Sequence, residues 1–172
     1  MKKFFFTILL SIFFSVNALR AEIIYFVDFS YVLNQSKAGK EAQEYLKKKI
    51  KTENENFSKM EKKILEDEKA LIAKKNVLKN EEYKKQLTEL RQRVATIQSN
   101  KRNFIASIDK KRSDSRKKLL SVLNPIMKNY MKTNNIKILV DKKNVLLGDS
   151  SLEITKQITD LLNKEIKSLN LN

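Results

Sequence analysis

The sequence predicts an α+β protein in which a small β-containing body is joined to a long antiparallel α-helical coiled-coil hairpin. Three observations favour this class. The chain of 172 residues has only two glycines and one proline, and 33% of its residues are charged, a composition typical of long helices. Apolar residues recur every seven positions through the middle of the chain. Short β-branched segments flank that region on both sides.

The N-terminal residues 1–21 are predicted to be a secretory signal peptide. Two lysines precede an apolar run over residues 4–16, and the small residues Ala18 and Ala21 follow it. A membrane-spanning helix needs about 20 apolar residues, so this run is too short for an anchor. Cleavage after either alanine fits, and cleavage after Ala21 leaves the next strand intact. We therefore expect an exported protein that is soluble in an extracytoplasmic compartment.

The body is predicted to be discontinuous, formed by residues 22–38 and 126–172, with the hairpin arm at 39–125. The β-branched and aromatic runs at 22–28 and 136–141 predict two strands. Apolar strand residues usually pack rather than contact ligands. Four of them are therefore assigned to the body core or to contacts between copies of the chain: Ile24, Phe26, Ile138 and Val140.

A third strand is predicted at 145–147, paired through a turn at 141–144, with 148–151 ending it and capping a closing helix. The apolar face of that helix would comprise Leu152, Ile154, Ile158, Leu161, Leu162, Ile166 and Leu169. Three short strands and one helix leave exposed sheet edges, so we expect other copies of the chain to complete the body. A monomeric small domain is the alternative.

The arm is predicted from a narrow apolar seam on each of two helices. The first seam repeats every seven residues, at Ile50, Phe57, Ile64, Leu71 and Leu78. The second alternates threes and fours, with Lys101 intruding, at Leu87, Leu90, Val94, Ile97, Phe104 and Ile108. Seams this narrow suit two helices packed on each other in solvent. The reversal is placed at 74–82, with Asn80 as the helix cap, which gives an arm of about 60 Å.

Positive charge is concentrated on the returning limb of the arm. Residues 41–82 have a net charge of +1, whereas residues 83–118 have a net charge of +9. A solvated helix face is one interpretation, and a surface for an acidic polypeptide or an anionic lipid is the other. The candidate contact residues are Lys84, Lys85, Arg91, Arg93, Lys101, Arg102, Lys110, Lys111, Arg112, Arg116, Lys117 and Lys118.

No catalytic, cofactor or metal site is predicted, and the protein is not expected to be an enzyme. Cysteine and histidine are absent, which excludes disulfides, thiolate or imidazole metal ligands, and triads that need either residue. Two glycines cannot form a glycine-rich phosphate loop. Asp28 and Asp141 follow strands and are expected to form turns. Pro125 interrupts the returning limb, either as a hinge or as the first residue of a new helix.

These features together resemble the OmpH family of Skp-like periplasmic chaperones. The resemblance rests on the order of a signal peptide, the strand ending in Asp28, the Gly39-Lys40 helix entry, a coiled hairpin, and the strand 138–141 followed by a closing helix. It implies a jellyfish-shaped homotrimer whose strands form a central β-rich body and whose three arms surround a cavity. It also implies an ATP-independent holdase that binds unfolded outer-membrane β-barrel proteins in the periplasm.

The family is also credited with a basic lipopolysaccharide site, which no motif locates in this sequence. Lipopolysaccharide or an anionic membrane surface is thus a further expected partner. Two other classes of function stay open. An extracytoplasmic coiled-coil scaffold needs a folded partner at the arm tip. A nonspecific nucleic-acid-binding coiled coil is disfavoured, because export separates it from the chromosome and the basic limb lacks interleaved aromatic residues.

Overall fold

The computed structural model describes residues 23–171, so the predicted signal peptide lies outside the described residues. It is mostly helical, with two long helices as predicted and with one strand pair in place of the three predicted strands. The two long helices have 37 and 54 residues. Two 3₁₀ turns, at Lys142–Asn144 and Ser150–Leu152, follow the second strand. The strands and α-helices in chain order are β1 Ile24–Val27, α1 Phe29–Gln35, α2 Lys37–Ala73, α3 Asn80–Thr133, β2 Ile138–Asp141 and α4 Thr155–Glu165.

The two long helices contact each other along their length, and the contacts show that they run in opposite directions. Asp67 of α2 pairs with Arg93 of α3 at 2.7 Å. Ten residues earlier in α2, the ring of Phe57 meets that of Phe104 edge to face, with centroids 6.0 Å apart. Lys101 Nζ lies 5.7 Å from the centroid of the Phe57 ring. The middle of the arm is thus held by one aromatic contact and by ion pairs exposed to solvent.

Some, but not all, residues of the two predicted apolar seams are buried between the long helices. The buried seam residues are Phe57, Leu71, Leu90, Ile97 and Ile108, while Val94 is 41% exposed. The companion heptad position is often polar, so the helices bury only one apolar layer between them. The chain forms the long helices α2 and α3 because no glycine or proline interrupts the heptads. Only six residues connect the two helices.

The body core forms where the ends of the long helices meet the strands and α4. Strands β1 and β2 are parallel, with Phe26 opposite Val140, although the whole arm separates them in sequence. Leu123 of α3 and Ile158 and Leu162 of α4 are completely buried there. Ala42 and Leu119 also belong to this core. The core therefore extends into the first turns of α2 and the last turns of α3.

Gly39 is required by the close approach of α1 to α2. A Cβ atom at this position would lie 1.9 Å from the carbonyl oxygen of Leu33. The Ser36 hydroxyl caps α2 by accepting a hydrogen bond from the Gly39 N–H, at 3.2 Å. Asp28 caps α1 by accepting from the Tyr31 N–H at 2.7 Å. Asp28 and Ser36 are thus the N-cap residues of α1 and α2.

The predicted third strand at 145–147 is wrong. A 3₁₀ turn precedes these residues, and Leu146 and Leu147 are 96% and 91% exposed. Sheet pairing instead extends by one isolated bridge from Phe26 to Glu153. Among residues 23–171 this apolar run has no neighbouring strand, so no described strand pairs with its backbone groups. The closing helix begins later than predicted, at Thr155, and ends at Glu165.

Two predicted helix ends are also corrected. Lys79 rather than Asn80 is the cap residue of α3, and it makes no side-chain capping bond. Pro125 lies inside α3, so it does not begin a new helix. Its missing N–H leaves the carbonyl of Ser121 without the usual helix hydrogen bond. None of the helices among residues 23–171 combines the length and the hydrophobicity of a membrane-spanning segment.

Candidate functional site

The predicted basic surface lies entirely on α3 and divides into two groups. Ten of its twelve side chains are exposed, and Lys101 and Lys111 are half-buried. Five of the twelve contact an oxygen atom of the protein: Arg93, Lys101, Lys111, Arg112 and Lys118. The other seven have no hydrogen bond or ion pair with any residue among 23–171. They are Lys84, Lys85, Arg91, Arg102, Lys110, Arg116 and Lys117.

Four of these seven residues form a basic stripe along one flank of the arm. Lys84, Arg91, Arg102 and Arg116 are separated by 7, 11 and 14 residues. Each interval is close to a whole number of helical turns, so the four side chains project from one side of α3. The stripe runs for about 48 Å at 1.5 Å per residue. An extended acidic chain could contact it at several points.

The basic stripe ends at an open cleft between the first turns of α2 and the last third of α3. This root groove has a volume of about 760 Å³. Apolar side chains line its floor, among them Leu33, Ala42, Leu46, Ile50 and Leu119. Lys47, Arg112 and Arg116 line its rim together with one carboxylate, that of Glu44. Arg112 also donates to Asp109 at 3.0 Å, which leaves Arg116 as the rim arginine without a carboxylate partner.

The opposite flank of the same region is covered by the C-terminal tail, residues 166–171. Leu169 is only 2% exposed and belongs to the body core. Lys118 Nζ donates to the Leu169 carbonyl at 3.0 Å, and Lys111 Nζ donates to the Leu171 carbonyl at 3.4 Å. Two residues predicted to contact a ligand therefore hold the chain's own backbone. The sequence contains part of this signal, since Leu169 belongs to the predicted apolar face of the closing helix.

The four predicted body residues have different surroundings. Phe26 is buried and Val140 is half-buried. Ile24 and Ile138, which face each other in the strand register, are 48% and 40% exposed. Near the same strands, the loop residue Leu146 is 96% exposed. The body therefore presents apolar side chains that the described residues 23–171 leave exposed.

A hydrogen-bond network joins the strand ends to α4. The Asp28 N–H donates to Thr155 Oγ1 at 2.8 Å, and the Thr155 hydroxyl donates to Glu153 at 2.7 Å. Lys142 Nζ donates to both carboxylate oxygens of Glu153, at 3.0 and 2.9 Å. The bond from Lys142 lowers the pKa of the Glu153 carboxyl, and the same bond raises the pKa of Lys142. Both side chains serve the structure of the body.

Within the described residues, no group of three or more acidic side chains is placed to hold a metal ion. The four side chains of the basic stripe are exposed on one flank of α3. The arrangement instead provides an elongated basic surface with an apolar cleft at its end. Such a surface can attract and hold an anionic, partly apolar molecule.

Comparisons with known proteins agree with this architecture. The family model OmpH, described as outer membrane protein (OmpH-like), matches residues 23–162. A crystal structure of a candidate outer membrane chaperone (OmpH-like) from Caulobacter crescentus CB15 is similar to this chain, with a TM-score of 0.80 and 19% sequence identity. The similarity covers 86% of this chain and 87% of that one. No significant match is found among curated protein sequences.

Proposed function

Because this chain belongs to the OmpH-like family of outer membrane proteins, we propose that it is an ATP-independent periplasmic holdase chaperone. It would bind unfolded outer-membrane β-barrel proteins in a cavity between helical arms and prevent their aggregation in transit. The observation that best supports this function is the arm itself. Two helices of 37 and 54 residues extend from a small core with one narrow apolar seam between them, and one flank is strongly basic.

The physical mechanism follows from these properties. An unfolded chain that is acidic and exposes alternating apolar residues is attracted to the basic stripe over a distance. Exposed apolar residues of the arm, such as Ile105 at 60% and Leu65 at 51%, add weak contacts with the client. Many weak contacts hold a client without trapping it, because each one breaks separately. Release is driven by folding of the client in the membrane, which requires no nucleotide.

Homotrimer formation is the second part of the proposal. Ile24, Ile138, Leu146 and Leu147 remain exposed on the body. A two-stranded sheet is rarely stable alone, and parallel sheets are usually covered on both faces. Three copies that bury these side chains against each other would join three antiparallel hairpin arms around one cavity. In this assembly residues 22–38 and 126–172 supply the trimerisation body, and 39–125 supply the arm.

A second function, that of an envelope scaffold, is favoured by one observation. The ion pairs Asp67–Arg93 and Glu61–Lys101 tie the two helices together in mid-arm, as suits a stiff spacer. A scaffold binds a folded partner, whereas a holdase prefers unfolded chains. The preference between the two forms of one client protein therefore separates the functions.

The experiment dilutes a urea-denatured outer-membrane barrel protein into buffer and records its light scattering with and without the mature chain. We expect suppressed scattering for the denatured client and no binding to the same client already folded in detergent micelles. Capture should weaken as salt is raised, because screening shortens the reach of the basic stripe. Binding to the folded client alone would favour the scaffold. Unchanged scattering would contradict the holdase proposal.

A further inference from the structure

The root groove and the C-terminal tail occupy opposite flanks of the same helix pair. On α3, Lys111 and Lys118 are seven residues apart and face the tail, whereas Arg112 and Arg116 face the groove. Both flanks combine an apolar floor with cationic side chains at the edge. One flank is filled by a segment of the chain, and the other is open.

The tail shows what this region of the molecule binds. It places one apolar side chain, Leu169, in the core and presents its backbone carbonyls to two lysine ammonium groups, at 3.0 and 3.4 Å. A cation that donates to a carbonyl makes a charge-assisted bond, about twice as strong as a neutral one. This flank of the helix pair therefore binds a segment through one apolar side chain and through carbonyl oxygens that accept hydrogen bonds.

The root groove offers the same chemistry to a ligand from outside. Its floor is apolar, and its volume of about 760 Å³ lies within the range of clefts that hold small ligands or a few side chains. Three cations face one carboxylate at its rim, which favours a carboxylate or carbonyl oxygen over a cationic group. The basic stripe leads directly to it, since Arg116 belongs to both.

We propose that the root groove binds an extended apolar segment of the unfolded client polypeptide, with Arg116 donating to a carboxylate or main-chain carbonyl of that segment. This inference rests on the proposed holdase function and adds a defined anchor point to it. A client is then held at the base of the arm by a directional contact, while the rest of the arm attracts it through charge.

The experiment places the photo-crosslinking residue p-benzoylphenylalanine in the full mature chain. Position 43 lies in the groove, position 47 lies on its rim, and Thr52, which is exposed on α2 and does not line the groove, gives the matched control. Each variant is mixed with a denatured outer-membrane barrel protein and irradiated. Two groove positions are used so that the test can still be read if one of the two variants fails to fold. We expect client cross-links at 43 and 47 at least about fivefold above those at 52.

A second measurement tests the role of Arg116. Arg116→Gln should lower the cross-link yield at position 47 by about two- to fivefold, since one exposed charge-assisted contact is worth up to about 1 kcal/mol. The control Lys48→Gln removes the same charge from an exposed side chain outside the groove and should change the yield by less than twofold.

The outcomes separate this inference from the proposed function. If the client stays soluble but cross-links equally at 43, 47 and 52, the groove site is refuted and the holdase function stands. Cross-links between copies of the chain at position 43 in the absence of client would assign the groove to a neighbouring copy and refute the inference. A client that aggregates in the presence of the wild-type chain would refute both.

Discussion

Leu123→Ala provides a stringent test of where the body core lies. Leu123 belongs to α3, within the part of the sequence first assigned to the arm, yet its side chain is completely buried. It packs in the cluster that contains Ile158 and Leu162 of α4. If the long helices and the body share one core, truncating this side chain must destabilise the whole protein.

The expected magnitude follows from the burial of the side chain. The change removes three buried carbon atoms, and about 0.8 kcal/mol for each gives a transfer contribution of about 2.4 kcal/mol. The cavity left behind adds to this, so the total should reach about 3 to 4 kcal/mol. Leu65→Ala is the matched control, because Leu65 lies on α2 and is 51% exposed. Its loss should cost less than about 1 kcal/mol, since no cavity forms.

The assay is urea unfolding followed by circular dichroism at 222 nm, at one fixed protein concentration because assembly and stability are coupled. The difference in free energy of unfolding between each variant and the wild type is compared. A cost for Leu123→Ala no larger than that for Leu65→Ala would refute the shared core. It would mean that the arm unfolds independently of the body.

Three further predictions concern the arm and the body network. Phe57→Ala removes the edge-to-face contact with Phe104 and should broaden spin-label distances across mid-arm, whereas a distribution as narrow as the wild type would show that the pair is dispensable. Pro125→Ala restores a helix hydrogen bond and should narrow spin-label distances between arm tip and body, while unchanged distributions would count against a hinge. The lowered pKa of Glu153 means that its pair with Lys142 stabilises the fold above about pH 4.5 and is lost as pH falls through the folded-state pKa. Urea titrations from pH 7 to 3 should therefore show a smaller loss of stability in Glu153→Gln than in the wild type, and parallel losses would exclude the pair as a contributor.

The long helices could be predicted because their signals are local and repeated. Heptads without glycine or proline allow only a helix, and the two segments must then pack on each other because nothing else in the chain can cover their seams. The strand β2 was predicted from its β-branched run for a similar reason. These elements depend on residues that are neighbours in sequence.

The errors arise where burial depends on distant parts of the molecule. Leu146 and Leu147 are the kind of apolar residues found in strands, but they have no partner strand within the part of the chain that the structure describes. The sequence alone does not distinguish an apolar residue that packs within its own chain from one that packs against a second copy of the chain. The partners of charged residues are equally hard to predict. Lys111 and Lys118 have carbonyl oxygens beside them only because the tail folds against α3. The root groove likewise requires α1, α2 and α3 together.

The most direct test of the proposed trimeric holdase is the mass of the complex that it forms with an unfolded client. The mature chain is mixed with a denatured outer-membrane barrel protein and analysed by size-exclusion chromatography with light scattering. We predict a soluble species with the mass of three chains and one client. A monomeric protein beside an aggregated client would contradict it.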